Sequence, residues 1–178
     1  RDSTAETRAL RIQEFRDAVA IQFPLGKTPT FYGMGMPLGP VNIWHWKADW
    51  EADLASRADV ETTYPNMAVQ SYPASKGPVG EVGDTKLHDP AFRSGRAVGN
   101  PMSADERESP VEDTYAEGLG TLTSQPADQQ NVQGRGEWVN GIWRVLLRRS
   151  LASDYSHDAQ LKPGESTAVA LAVWDGAA

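Results

Sequence analysis

The chain has 178 residues with ordinary proportions of apolar (39%) and charged (23%) side chains, enough for one globular domain and unlike a disordered tract. A net charge of −7 argues against a surface that tracks phosphates, so nucleic acid is not expected as a partner. With no cysteine, thiolate metal sites, iron–sulfur ligation and thioether-linked haem are all excluded; no apolar run is long enough to span a bilayer either.

In chain order, Ser3 and Glu6 fit a capping box for a short N-terminal helix. Ala18 to Phe23 reads as a mostly buried strand, stopped by Pro24 and Gly26. Gly33 to Pro40 is a loop with three glycines, two prolines and two methionines. Val41 to Lys47 alternates as a strand, placing Trp44 and Trp46 on one face and Ile43, His45 and Lys47 on the other. From about Tyr72 to Arg107 the composition turns to Gly, Pro, Ser, Asp and Lys, the mark of a long functional or partner-ordered loop.

Ser109-Pro110-Val111-Glu112 carries a helix-start signature: a capping Ser, Pro at the first helical position and an acid three residues on. A short helix is therefore expected up to Gly118. Glu137 to Leu147, broken by Asn140-Gly141, is a hairpin signal, with Trp143, Val145 and Leu147 on one face and Arg144 and Arg148 on the other. Ser166 to Trp174 is apolar on both faces, which predicts a central strand. Many strands and little helix point to an all-β, immunoglobulin-like β-sandwich with long loops and one or two short helices.

No nucleophile–base pair, phosphate loop or zinc motif is present, so catalysis by this chain alone is not expected. His88 and His157 lie in polar contexts and read as surface histidines. Met34 and Met36 admit two readings: core gap-fillers, or thioether ligands on a glycine-rich segment that lets backbone approach a flat macrocycle. The six tryptophans likewise read mainly as core, with an aromatic platform for a carbohydrate or small ligand as the alternative, for which Trp44, Trp46 or Trp50 would have to line a groove. Arg148 and Arg149 read as solvated, or as binders of a haem propionate or an acidic surface.

Six ordered segments carry a resemblance. They are Phe15 to Pro24, Phe31-Tyr32-Gly33-Met34-Gly35, Pro40 to Ala48, Ala116 to Thr123, Gly141 to Val145, and Ala170 to Gly176. Together they resemble the haem b-binding gamma subunits of ethylbenzene dehydrogenase, dimethylsulfide dehydrogenase, selenate reductase and chlorate reductase, with related subunits in nitrite oxidoreductases. The resemblance implies a non-catalytic, periplasmic electron-transfer subunit. It would bind one haem b between axial Met and Lys ligands. Its partners would be an iron–sulfur beta subunit, a molybdenum-containing alpha subunit and an external carrier, such as a soluble cytochrome or a quinone-linked protein.

By position the axial Met falls on Met34, with Met36 as the local substitute. The axial Lys is expected beyond Ala178, with Lys162 or Lys47 as in-chain substitutes, and His45 joins the candidate cofactor-binding set. Residues 1–178 are expected to form a single haem b-binding domain. The resemblance also implies strands ahead of Phe15 and a closing strand after Trp174-Asp175-Gly176, so exposed sheet edges are expected.

Overall fold

The computed structural model describes residues 15–27, 31–57, 95, 98–104 and 106–176. Strands β1 (Ala18–Pro24), β2 (Val41–Lys47), β3 (Val111–Ala116), β4 (Thr123–Ser124) and β7 (Ala170–Trp174) make an antiparallel sheet in the order β4-β3-β2-β1-β7. Strands β5 (Gln133–Val139) and β6 (Ile142–Arg148) form a separate hairpin that packs across it. Among the described residues the helical elements with complete bounds are α1 (Ala48–Asp53) and two 3-10 turns, Pro101–Ser103 and Ala127–Gln129. Among the described residues this is an all-β, two-layered arrangement, as the sequence predicts.

Alternation explains the layering. Val19, Ile21 and Phe23 of β1, Trp44 and Trp46 of β2, and Val111 of β3 share one face, against which Trp143, Val145 and Leu147 of β6 pack. The rings interlock, with Phe23 and Trp44 at 4.6 Å and Trp46 and Trp143 at 4.9 Å between centroids. Burial of two tryptophans here is a principal source of stability, since truncating one such ring typically costs about 3–5 kcal/mol.

Carboxylates fix the hairpin's position. Glu51 of α1 accepts from the Trp46 indole at 3.0 Å and from Gly136 N at 2.6 Å, bridging the two layers. Asp17 accepts from the Trp143 indole at 2.9 Å. Gly136 lies flat on Trp46, where any Cβ would run into the ring. Asn140 and Gly141 close the hairpin with φ of 53° and 81°, the left-handed pair of a type I′ turn.

Several expectations need correction. Residues 111–116 form β3, not a helix. Ser109 Oγ accepts from Val111 N and donates to Val132 O, and Pro110 O accepts from Lys47 N, so the local helix-start groups are spent on the sheet. The strand is buried although polar, because distant partners satisfy it: Asn42 and Gln125 donate to Asp113 at 2.5 and 2.9 Å, while Lys47 and Ser124 hold Glu112.

The last strand, β7, stands at the edge of the sheet among the described residues rather than at its centre, and it begins at Ala170 rather than Ser166. Among the described residues β7 pairs only with β1, leaving Leu171 and Val173 at 70% and 79% exposure. Trp174 is 46% exposed rather than core. Arg149 is not solvated: its side chain is 2% exposed, pairs with Asp158 at 3.5 Å and lies over Trp44. The N-terminal helix and His88 fall outside the described residues, as does most of the long polar loop.

Candidate functional site

The face of the sheet away from the hairpin gathers the chemistry. Register sets it out in rows: Glu112, His45, Ala20 and Ala172; then Thr114, Ile43, Gln22 and Ala170; with Lys47, Ala18 and Trp174 at one end. Because β1 contributes only alanine at positions 18 and 20, the Trp174 ring reaches across from β7 to within 4.8 Å of the His45 ring on β2. Met34 packs at the opposite end, against the cluster of Ala20, Val41, Ile43 and Ala116.

Met34 has a φ of 74°, a left-handed backbone that costs a non-glycine residue about 1–2 kcal/mol. The surroundings enforce it. Met34 N donates to the Gln22 side chain at 3.1 Å, Gly118 N donates to Met34 O at 2.9 Å, and Gln22 Nε2 donates to Phe31 O at 3.3 Å. Gly35 follows with φ of 75°, where a Cβ would meet Gly39 O at 2.8 Å. Met36 and Gly39 then pair across a tight bridge, leaving Met36 exposed. Gln22, one polar residue in an otherwise apolar strand, is thus the clamp of the methionine loop. Its signal in the sequence was that break in the pattern.

His45 Nε2 is buried without a hydrogen-bond partner among the described residues. Burial, assisted by the Lys47 charge, lowers the imidazole to about 4, so it is neutral at physiological pH. Lys47 lies beside it, tied to Glu112 and over the Trp50 ring at 4.1 Å. Burial pulls the Lys47 amine below the usual lysine range. Burial also pushes the Glu112 carboxyl upward, but the Lys47 charge and the bonds from Lys47 and Ser124 outweigh it and leave it lowered.

Of the other sequence candidates, Lys162 lies apart. It is exposed and lines a cleft of about 550 Å³ with Lys27, Tyr32 and Glu165. His157 is half-buried and stacks on Tyr115 at 4.0 Å. The structure therefore brings Met34, His45 and Lys47 onto one sheet face and separates Lys162 from them. Trp44, Trp46 and Trp50 are buried, against the groove that a sugar platform would need. A second cleft of about 580 Å³, lined by Trp46, Trp138, Trp143 and Trp174 among others, opens beside the hairpin.

The family described as ethylbenzene dehydrogenase matches residues 5–178. A provisionally named respiratory nitrate reductase haem subunit from Haloferax mediterranei is 24% identical over 177 residues, covering 98% of this chain and 42% of the relative. The gamma subunit of chlorate reductase from Ideonella dechloratans is 45% identical over 49 residues, covering 27% of this chain and 20% of that protein. The chain thus spans less than half the length of these curated relatives. A match that runs through the strained methionine loop, the His45 strand and β7 alike shows that the chain belongs to the ethylbenzene dehydrogenase family.

Proposed function

We propose that the chain is a non-catalytic electron-transfer subunit that holds one b-type haem on the Met34–His45 face of the sheet. It would relay electrons between an iron–sulfur subunit of a periplasmic molybdenum oxidoreductase and an external carrier. The conformation of Met34 carries the reading. A methionine kept in a left-handed backbone by three hydrogen bonds is an expense that gap-filling does not require, and strain of this kind concentrates at ligand clamps. The names of the relatives, a haem subunit and a gamma subunit of oxyanion reductases, support it.

The donor set fits the group. Met34 offers a soft thioether, which suits haem iron and raises its potential. The small side chains of Ala170 and Ala172 leave β7 low enough for a flat macrocycle to lie close to backbone, beside Ala18 and Ala20, which are already buried. His45, on the same face, carries a neutral imidazole nitrogen with no hydrogen-bond partner among the described residues. Lys47 is already committed to Glu112 and Lys162 lies apart from this face, so the second axial amine is assigned to a lysine outside the described residues. When bound, the haem supplies a centre that takes up and gives up one electron. Met34 would hold it, and the Gln22 hydrogen bond to Met34 N would fix that ligand in place. We further propose that the open edge of β7 is covered by another strand in the assembled subunit, burying Leu171 and Val173.

The test is a reduced-minus-oxidised visible spectrum of the haem-supplied protein with Met34→Ala beside it. A b-type spectrum that is shifted or lost in the variant is expected. An unchanged spectrum would move the ligand to Met36, and no haem in either protein would overturn the reading. Cell fractionation of the producing organism tests the periplasmic placement.

A further inference from the structure

The outward face of the β5–β6 hairpin is absorbed neither by the core nor by the haem face. Register sets Arg135 opposite Leu146, Arg144 opposite Glu137 and Arg148 opposite Gln133, with Ile142 at the tip. Ile142 and Leu146 are 62% and 64% exposed. Arg135 and Arg144 are exposed and make no ion pair or hydrogen bond among the described residues, although Glu137 lies directly across from Arg144. Arg148 reaches only Gln133. Three arginines against one glutamate thus surround two solvated aliphatic side chains, on a chain whose net charge is −7.

We propose that this face is the docking surface for an acidic protein subunit, held on the side of the domain away from the haem face proposed above. Local charge runs against the charge of the whole, which marks a patch built for complementarity rather than solubility. Arginine beside exposed aliphatics is the composition of interface hot regions. The face is also rigid, because the inward side of the same hairpin is locked by Trp143 to Asp17 and by Gly136 to Glu51, so docking orders little backbone. Three arginines are fewer than the cluster of basic residues that holds a segment to an anionic bilayer, and they do not form the long track that duplex phosphates need.

Isotope-labelled full-length chain, titrated with a plant-type ferredoxin as an acidic redox-protein probe, tests the proposal by NMR. Shift changes are expected on the outward residues of β5 and β6, with affinity falling as salt rises. Arg135→Glu/Arg144→Glu should weaken binding roughly tenfold or more, while Arg135→Gln/Arg144→Gln gives an intermediate loss. Shifts mapping elsewhere, or binding indifferent to these variants, would overturn it. So would phosphatidylserine vesicles or duplex DNA engaging the same arginines while the ferredoxin does not. Docking needs no haem. A chain that docks but gives no b-type spectrum keeps the surface and loses the haem reading, and a haem-loaded chain that does not dock does the reverse.

Discussion

Lys47 and Glu112 form a buried ion pair, each side chain 10% exposed or less, joining β2 to β3 at the edge of the proposed haem face. Lys47→Met would leave the Glu112 carboxylate in the interior with Ser124 as its remaining donor. Stranding one buried charge costs about 3–5 kcal/mol. The variant also forfeits the stacking of the ammonium on Trp50, about 0.5–2 kcal/mol. Against a domain stability of roughly 5–15 kcal/mol, urea unfolding followed by tryptophan fluorescence should show a large drop in midpoint. Glu112→Leu alone should cost a similar amount, because either lone group can neutralise itself, the carboxyl by taking up a proton and the amine by shedding one, and burial favours both. The double variant should recover most of either loss, since apolar replacements of a buried pair are often close to neutral. If either single variant costs less than about 1 kcal/mol, or if the two losses simply add, the pair is not coupled as described. Lys47→Met protein that folds should keep the Met34-dependent haem spectrum; its loss in folded protein would make Lys47 the second axial ligand.

Two further outcomes follow from buried or strained groups. Burial, opposed by the Asn42 hydrogen bond and assisted by the Asp158 charge, pushes the Asp113 carboxyl up to about 7. Between about pH 4 and 7 the unfolded chain therefore loses a proton that the native state keeps, and stability falls over that window by up to a few kcal/mol. Asp113→Asn should flatten that slope in unfolding measured across pH; an unchanged slope would refute the assignment. At Met34, glycine should be better tolerated than alanine, reversing the usual order. With φ at 74°, haem-free Met34→Gly should be more stable than Met34→Ala by about 1 kcal/mol, and equal stabilities would show that the left-handed backbone is not retained.

The parts of the fold that were legible are those whose information is local. An apolar run stopped by Pro24 and Gly26 marked β1, alternation marked the two faces of β2, and Asn140-Gly141 marked the hairpin, because none of these signals needs a distant partner. The Met34 loop could be read from its glycines. β3 could not, because its polar residues are stabilised by groups far away in sequence: Lys47 holds Glu112, and Asn42 holds Asp113. Ser109-Pro110 gave a local helix signal that those tertiary partners overrode. Arg149 misled for the same reason, its burial being set by Asp158 and the Trp44 ring. β7 misled differently: two apolar faces signal burial, but not which neighbour provides it.

The two faces of the sheet divide the energetics. The hairpin face is built from interlocking tryptophans whose indole nitrogens find carboxylates, Trp46 on Glu51 and Trp143 on Asp17. The opposite face concentrates the unfavourable features: a left-handed methionine, an imidazole nitrogen without a partner and a desolvated ion pair. Each costs stability of its own, and all lie on this one face, the ion pair and the imidazole in adjacent rows and Met34 at the other end. A sheet that is well packed on one side can hold such groups in place on the other, because β2 cannot shift to relieve them without breaking the Trp46 contacts. The aromatic layer is therefore the support of the proposed haem face. Softening it, for example with Gly136→Ala against Trp46, should alter the haem environment before it unfolds the chain.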